Sequence, residues 1–574
     1  MKELLKACEE GDIEKVKLLL KENVDVNSIS PDLQKSALHV ATQKNNPAII
    51  KLLLHHKANV NIKDEDSETP IFYALQNEHN KETIKLLLEH KANVNVTSSY
   101  LKTPPLHVAC QNKCDASIIK LLLDHNANVN VKANKSETPL LYAIQKKHNE
   151  DTVLLLLEYK SDVNVQSKDF HRTPLHYACR NNYSAPLIQL LLDRNAKVNV
   201  QDKLGQTPLL YALQSKSSEE TIKLLLSNNA DVKGKGMDLN QSPLHLACYH
   251  GYSPEIIKML LDASADINAK DTLSETPIMY ALKREHNDET IKVLLAYQPD
   301  LTLIDKSRKT PLHIACQQRY SPYIIKKLLE HNAPVDAKDK NSETPLLYAL
   351  QKNDEPTIKL LLRYHANLNI KSKKNAESPL LIACKFKYSL SIIRLMLEQK
   401  ADVNCQDYNS NTPLVYALKN KNIEMLRLFL AYKAKVNFKV DYTDNTPLHL
   451  AFEYKCPHAM IQVLLEHKAD VHAQTDETLT PLHYAMKFQY KPETIQLLLD
   501  YKANMNARIQ YLNQSTLHYA IQCKCSPKVI KLLLDNSEDV NVLNYNKDTP
   551  LNFALQNETP EEVIKLLLAY KANN

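Results

Sequence analysis

The chain has 574 residues, 44% of them hydrophobic and 24% charged, with 72 Lys and Arg against 66 Asp and Glu for a net charge of +6, five Gly and no Trp. This is the balance of a folded protein, which excludes a disordered chain, and so slight a positive charge over such a length disfavours a nucleic-acid binder. No apolar run approaches the ~18 residues of a membrane span, and the start Met1-Lys2-Glu3-Leu4-Leu5-Lys6 has no apolar signal core, so membrane insertion is not expected and a cytoplasmic or nuclear location is.

In chain order, residues 1–35 come first, with Lys2-Glu3-Leu4-Leu5-Lys6-Ala7 and the run Asp12 to Leu20 predicting a helix pair that is rich in charge and suited to capping one end of a stack. Residues 36–574 then restart sixteen times, the first residue of each unit being Ser36, Thr69, Thr103, Thr138, Thr173, Thr207, Ser242, Thr276, Thr310, Thr344, Ser378, Thr412, Thr446, Thr480, Ser515 and Thr549, a period of 33 to 35 residues. In the unit at Thr69, this residue is placed to cap a helix whose first turn tolerates Pro70. The first helix runs through Ile71, Ala74 and Leu75, a polar break covers residues 77–80, and a second helix sets Ile84, Leu87 and Leu88 on one stripe with Leu86 off it. A helix apolar on more than one side must be sandwiched, so each unit needs the next, and an all-α solenoid forming one continuous domain is expected. The chain stops at Lys571-Ala572-Asn573-Asn574, straight after Leu566-Leu567-Leu568, which leaves two expectations, a poorly capped last unit or a longer protein.

Thr-Pro-Leu-His-x-Ala at this spacing, with Leu-Leu-Leu-x-x-x-Ala-x-Val-Asn closing each unit, resembles the ankyrin repeat over essentially the whole chain. The resemblance implies stacked helix-turn-helix units with hairpin-like loops in a curved superhelix. It also implies a monomeric scaffold or adaptor, not an enzyme and without cofactor, that binds other proteins in a concave groove. The alternative is a substrate-recognition arm of a ubiquitin ligase or kinase complex, with catalysis supplied by another chain or a further C-terminal region. Family members are modified by an asparaginyl hydroxylase at a Val-Asn eight residues after a Leu, which points to Asn61, Asn95 and Asn130 after Leu53, Leu87 and Leu122. The family places Gly at its turns, whereas this chain has Asn, Lys, His or Tyr there, as in His90-Lys91-Ala92, so the turn geometry is where the resemblance departs.

A second period overlies the first. Odd units read Leu-His-x-Ala-Cys with a Tyr-Ser-Pro break, as at Leu244 to Cys248 with Tyr252-Ser253-Pro254, and even ones read Ser-Glu-Thr-Pro-Leu-Leu-Tyr-Ala, as at Ser136 and Ser342. The true repeat is therefore a pair of units, although His449, His483 and His518 follow one another in the last ones.

Among chemistry-bearing residues, Cys110, Cys179, Cys248, Cys316 and Cys384 share one slot in alternate units, too far apart for disulfides and read as small buried hydrophobes. His107, Cys110 and Cys114 share a helix face but lack a fourth ligand, so no metal is expected. The repeated tetrad histidine is better explained by a hydrogen bond that ties the loop before a helix to the neighbouring unit than by catalysis, which needs a unique convergence of groups. Binding is expected where the units differ, just after the first helix, at Tyr252, Arg284, Arg319, Tyr320, Lys352, Phe386, Lys387, Tyr388, Lys421 and Tyr490. Basic and aromatic groups side by side suit an acidic or aromatic-bearing peptide or domain.

Overall fold

The computed structural model describes the chain except for residues 1, 32–33, 77–79, 100–101, 134–136, 238, 285–286, 441–442, 511–512, 537–538 and 573–574. The polar break expected at residues 77–79, Ser136, Asn573 and Asn574 thus lie outside the described residues. Among the described residues there are 34 α-helices, alternately short and about nine residues long, with two isolated antiparallel bridges, Val440 to Asn445 and Ile509 to Gln514. The all-α repeat architecture expected from the period is what forms.

The helices divide into two compact units, Met1–Asp300 and Leu301–Asn574. The first opens with the charged pair Lys2–Glu10 and Ile13–Lys21, where Asp12 accepts from the Lys15 amide as N-cap, and continues to Pro277–Leu282 and Asp288–Ala296. Within it, first helices pack on first helices and second on second, so that Pro174–Arg180 lies between Pro139–Gln145 and Pro208–Gln214. The second unit repeats this scheme from Pro311–Gln317 to Glu561–Ala569.

The predicted stripes are the ones buried. Ile84 and Leu87 have no exposed surface, and Leu86, off their stripe, is also buried at 8% because a helix pair flanks it on each side. Each such Leu or Ile contributes about 1.5–3 kcal/mol by leaving water. Leu555 and Leu568 of the last repeat are instead 53% and 55% exposed. The shared cysteine slot is at most 1% exposed from Cys110 to Cys384, and its thiols are free. Thr69 holds the N-cap position expected of it but makes no capping bond, whereas Thr207 accepts from the Leu210 amide at 3.4 Å.

The turns that lack Gly keep the left-handed geometry that Gly would favour. Lys91, rather than His90, takes φ 65°, and Lys160 and Lys400 take 60° and 67° at the same slot. The Cβ of an L-residue crowds its carbonyl there, at about 1–2 kcal/mol per residue, and Asn tolerates it better than Lys. Lys91→Gly and Lys400→Gly should therefore raise the unfolding free energy by about 0.5–1 kcal/mol each, the relief of strain outweighing the added freedom of the unfolded chain. Asn126→Gly, at φ 66°, should do less. Urea melts followed by circular dichroism decide, and a lowered midpoint for both Lys variants would refute the strain. Because packing is between neighbours, removal of the pair from Thr173 to Gln241 should leave a shorter, cooperatively melting helical protein. Loss of that cooperativity would show that contacts beyond the neighbours matter.

Candidate partner-binding face

The face left for partners is defined by what the stacking consumes. In the odd repeats that begin at Ser36, Thr173, Ser242 and Thr310 the tetrad histidine closes its own helix start. His39 Nδ1 accepts from the Ser36 amide at 3.1 Å, which leaves the ring proton on Nε2, and Nε2 donates 3.1 Å to the Glu68 carbonyl, in the loop that leads into the next repeat. The even repeat completes the circuit: Tyr73 sets its ring edge-on to His39 at 5.5 Å and donates 2.6 Å to Asp64 Oδ2, while Asp64 Oδ1 accepts from the Glu68 amide at 2.8 Å. The same set recurs as His176, Gln206, Asp202 and Tyr211, as His245, Glu275, Asp271 and Tyr280, and as His313, Glu343, Asp339 and Tyr348. The expected tie between the histidine and the loop before the neighbouring helix is thus present, and it accounts for the pairwise period, since one repeat supplies the imidazole together with the carbonyl and carboxylate of its closing loop and the next supplies the phenol. At Asp202 burial would raise the pKa, but the Gln206 amide, Arg172, Tyr211 and the Leu204 amide together hold it below its usual value.

The Val-Asn asparagines are spent on the stacking too. Asn61 donates to the Lys91 carbonyl at 3.2 Å and accepts from the Asn93 amide at 2.7 Å, so it buttresses the turn of the following repeat rather than its own. Asn95 does the same with Asn126 and Asn128, and Asn130 with Lys160 and Asp162. All three are exposed.

Four of the aromatic residues expected as surface anchors turn inward. Tyr252, Tyr320 and Tyr388 are 8%, 6% and 5% exposed, and Tyr252 and Tyr388 donate to the Ser217 and Leu350 carbonyls of the preceding repeat at 2.8 and 2.7 Å. Tyr490 is half-buried and donates to Cys456 O at 2.9 Å. This corrects the reading of Tyr252, Tyr320, Tyr388 and Tyr490 as free anchors: a phenol can bury its ring between repeats once its hydroxyl finds a carbonyl. Arg284 is exposed, but its guanidinium crosses to the Tyr249 carbonyl and lies against Gly251.

What remains accessible in the second unit is a basic row with one exposed ring. Arg319, Lys387 and Lys421 occupy the left-handed position after the first helix, with φ of 58°, 57° and 51°, and Lys352 caps the helix Pro345–Gln351. All four are exposed, and none is ion-paired among the described residues. Phe386, beside Lys387, is 55% exposed. Their equivalents in successive repeats stand about 8–10 Å apart, the separation of packed helices. In the first unit, hairpin tips carry exposed Phe170, Leu204, Met237 and Leu273, which sequence reasoning missed. The signal was available for three of them, each lying three residues before a tetrad threonine.

The residues weighed as metal ligands serve other ends. His107 Nε2 pairs with the Glu137 carbonyl at 2.7 Å, Cys110 is buried with its thiol pushed far up, and burial raises Cys114 to about 11. No group of three metal-binding side chains forms among the described residues, and none of the described helices is long and apolar enough to cross a membrane.

A family model of ankyrin repeats matches residues 4–98, 98–169, 161–236, 244–339, 278–372, 312–407, 380–475, 457–544 and 482–574. An ankyrin repeat protein of fowlpox virus (strain NVSL) is 27% identical over 90 residues, which are 16% of this chain and 15% of that relative.

The buried histidines make stability depend on pH. Burial pushes His449 and His483 from 6.5 down to about 4, and the neighbouring His449 adds to the effect on His483. The folded state holds them neutral, so their stabilisation is complete above the unfolded value of 6.5 and is lost as pH falls through about 4. Each is worth on the order of 3 kcal/mol across that window. The urea midpoint should therefore fall between about pH 7 and pH 5. His449→Gln should be less stable at neutral pH yet lose less on acidification, and an equal loss in wild type and variant would refute the assignment.

Proposed function

Since this chain belongs to the ankyrin-repeat family, whose repeats generally serve as protein-protein interaction modules, we propose that it is a scaffold or adaptor that binds an acidic protein segment along Arg319, Lys352, Lys387 and Lys421, with Phe386 as apolar contact. The observation that carries this reading is the lack of ion pairing along the row among the described residues: these cations stay exposed and none is paired there. Elsewhere lysines at comparable places are paired, as Lys385 is with Glu377 at 2.6 Å. A row already ordered by the repeats loses little freedom on binding, so its charges act on affinity and on the rate of encounter. The buried imidazoles and thiols are occupied by packing, which supports binding rather than catalysis as the role of this chain.

The test is affinity capture from the native cell with quantitative mass spectrometry, comparing wild type with the combined Arg319→Glu, Lys387→Glu and Lys421→Glu variant. Acidic partners should be lost by about tenfold or more, some 1.4 kcal/mol, while stability changes by less than about 0.5 kcal/mol because exposed unpaired charges contribute little to folding. Phe386→Ala should weaken capture at high salt as well as low, where screening has removed the charge term. Undiminished capture by the charge-reversed protein would move the site to the apolar hairpin tips.

A further inference from the structure

In the second unit, an open cavity of about 630 Å³ lies where the repeats beginning at Thr446 and Thr480 meet, and its lining includes Lys455, Lys487, Lys491, His458, Phe488 and Tyr490. The three lysines share one concavity, and none is ion-paired among the described residues. Lys487 only lies over rings, 5.5 Å from the centre of Tyr484 and 6.0 Å from that of Phe488, which leaves its charge unneutralised. His458 is held by Thr494 Oγ1 at 3.1 Å and the Tyr490 hydroxyl by backbone carbonyls, so neither supplies a counter-charge. The nine-residue helices His458–Glu466 and Pro492–Asp500 start at the same cavity without side-chain caps, which adds to the positive potential of the lysines.

Three lysines lining one cavity whose lining holds no carboxylate give it a positive charge, which an anion would neutralise. A single carboxylate would match only one of them. A phosphate monoester, with a charge of about −1.5 to −2 and three acceptor oxygens, matches the set. The volume exceeds what inorganic phosphate needs and falls in the range of pockets for larger ligands, while Phe488 and Tyr490 offer ring surface beside the charge. We propose that this cavity receives a phosphotyrosine carried on a protein partner, the phosphate lying among Lys455, Lys487 and Lys491 and the phenyl ring against Phe488. The proposal rests on the reading of this chain as a binder of proteins.

Fluorescence anisotropy with the full chain tests it, using a labelled Gly-Glu-Asp peptide with one central phosphotyrosine, the same peptide with Tyr or phosphoserine, and phenyl phosphate and inorganic phosphate as competitors. The phosphotyrosine peptide should bind about tenfold more tightly than the Tyr peptide. Lys455→Ala, Lys487→Ala and Lys491→Ala together should remove that preference, with Lys→Gln at the same positions as a second variant and circular dichroism as the check of folding. Phe488→Ala should erase the preference over phosphoserine. Equal binding of the phosphorylated and unphosphorylated peptides, or a preference that survives the triple variants, overturns the site. Phenyl phosphate binding as tightly as the peptide overturns the assignment to a protein partner and gives the site to a free aryl phosphate. These outcomes are separate from those of the Arg319, Lys387 and Lys421 reversal, because the Lys455, Lys487 and Lys491 variants change the cavity and leave that row intact.

Discussion

A neutral imidazole held between two repeats sets the register of the stack. Its Nδ1 completes the cap of one helix while its Nε2 reaches a carbonyl of the loop that leads into the following repeat, so the ring ties a helix start to the hairpin next to it. Such a ring works only uncharged, because an imidazolium could not accept at Nδ1 and burial disfavours its charge. The edge-on tyrosine and the aspartate behind it follow from that requirement: they close the space around the ring and tie down the hairpin that presents the carbonyl. Asparagines repeat the logic at the other end of each repeat, where a side-chain amide mimics a backbone partner for the next turn.

The polar groups buried in this apolar interior are largely satisfied, whereas the row of cations after the first helices of the second unit is unpaired among the described residues. The left-handed slot after the first helix needs a residue that tolerates positive φ, and where Gly251 fills it the backbone is at ease, while at Arg319, Lys387 and Lys421 a long cation occupies the same geometry. Those positions accept local strain in exchange for an exposed charge. Stability thus draws on the buried residues of each repeat, which is why the exposed charges can vary from repeat to repeat without disturbing the stack.

Period, helix pairs, the charged first unit and the buried cysteine slot were legible in the sequence because each depends on local pattern: apolar spacing selects the helix face, and a small residue at a fixed slot is buried wherever repeats stack. The histidine tie was legible for a related reason, since a polar side chain repeated at one structural position in every second unit needs a partner at a repeated distance. The turns were legible only in part, because composition showed that Gly was missing without showing that Lys would adopt its conformation.

Tertiary structure alone decided which way the tyrosines after the first helix point. The residue type alone does not tell whether Tyr252 or Phe386 faces solvent; Tyr252 and Tyr388 share a slot from which the hydroxyl reaches a carbonyl of the previous repeat, whereas Phe386 lies two residues earlier in its unit and points to solvent. The lysine-lined cavity was equally out of reach, since Lys455 and Lys491 lie in different repeats and face one space only after stacking. By itself the sequence determined the repeating unit and its buried faces, because these follow from periodicity within one repeat. The accessible chemistry was settled by the fold, because it depends on which polar groups find partners across the interface and which are left over.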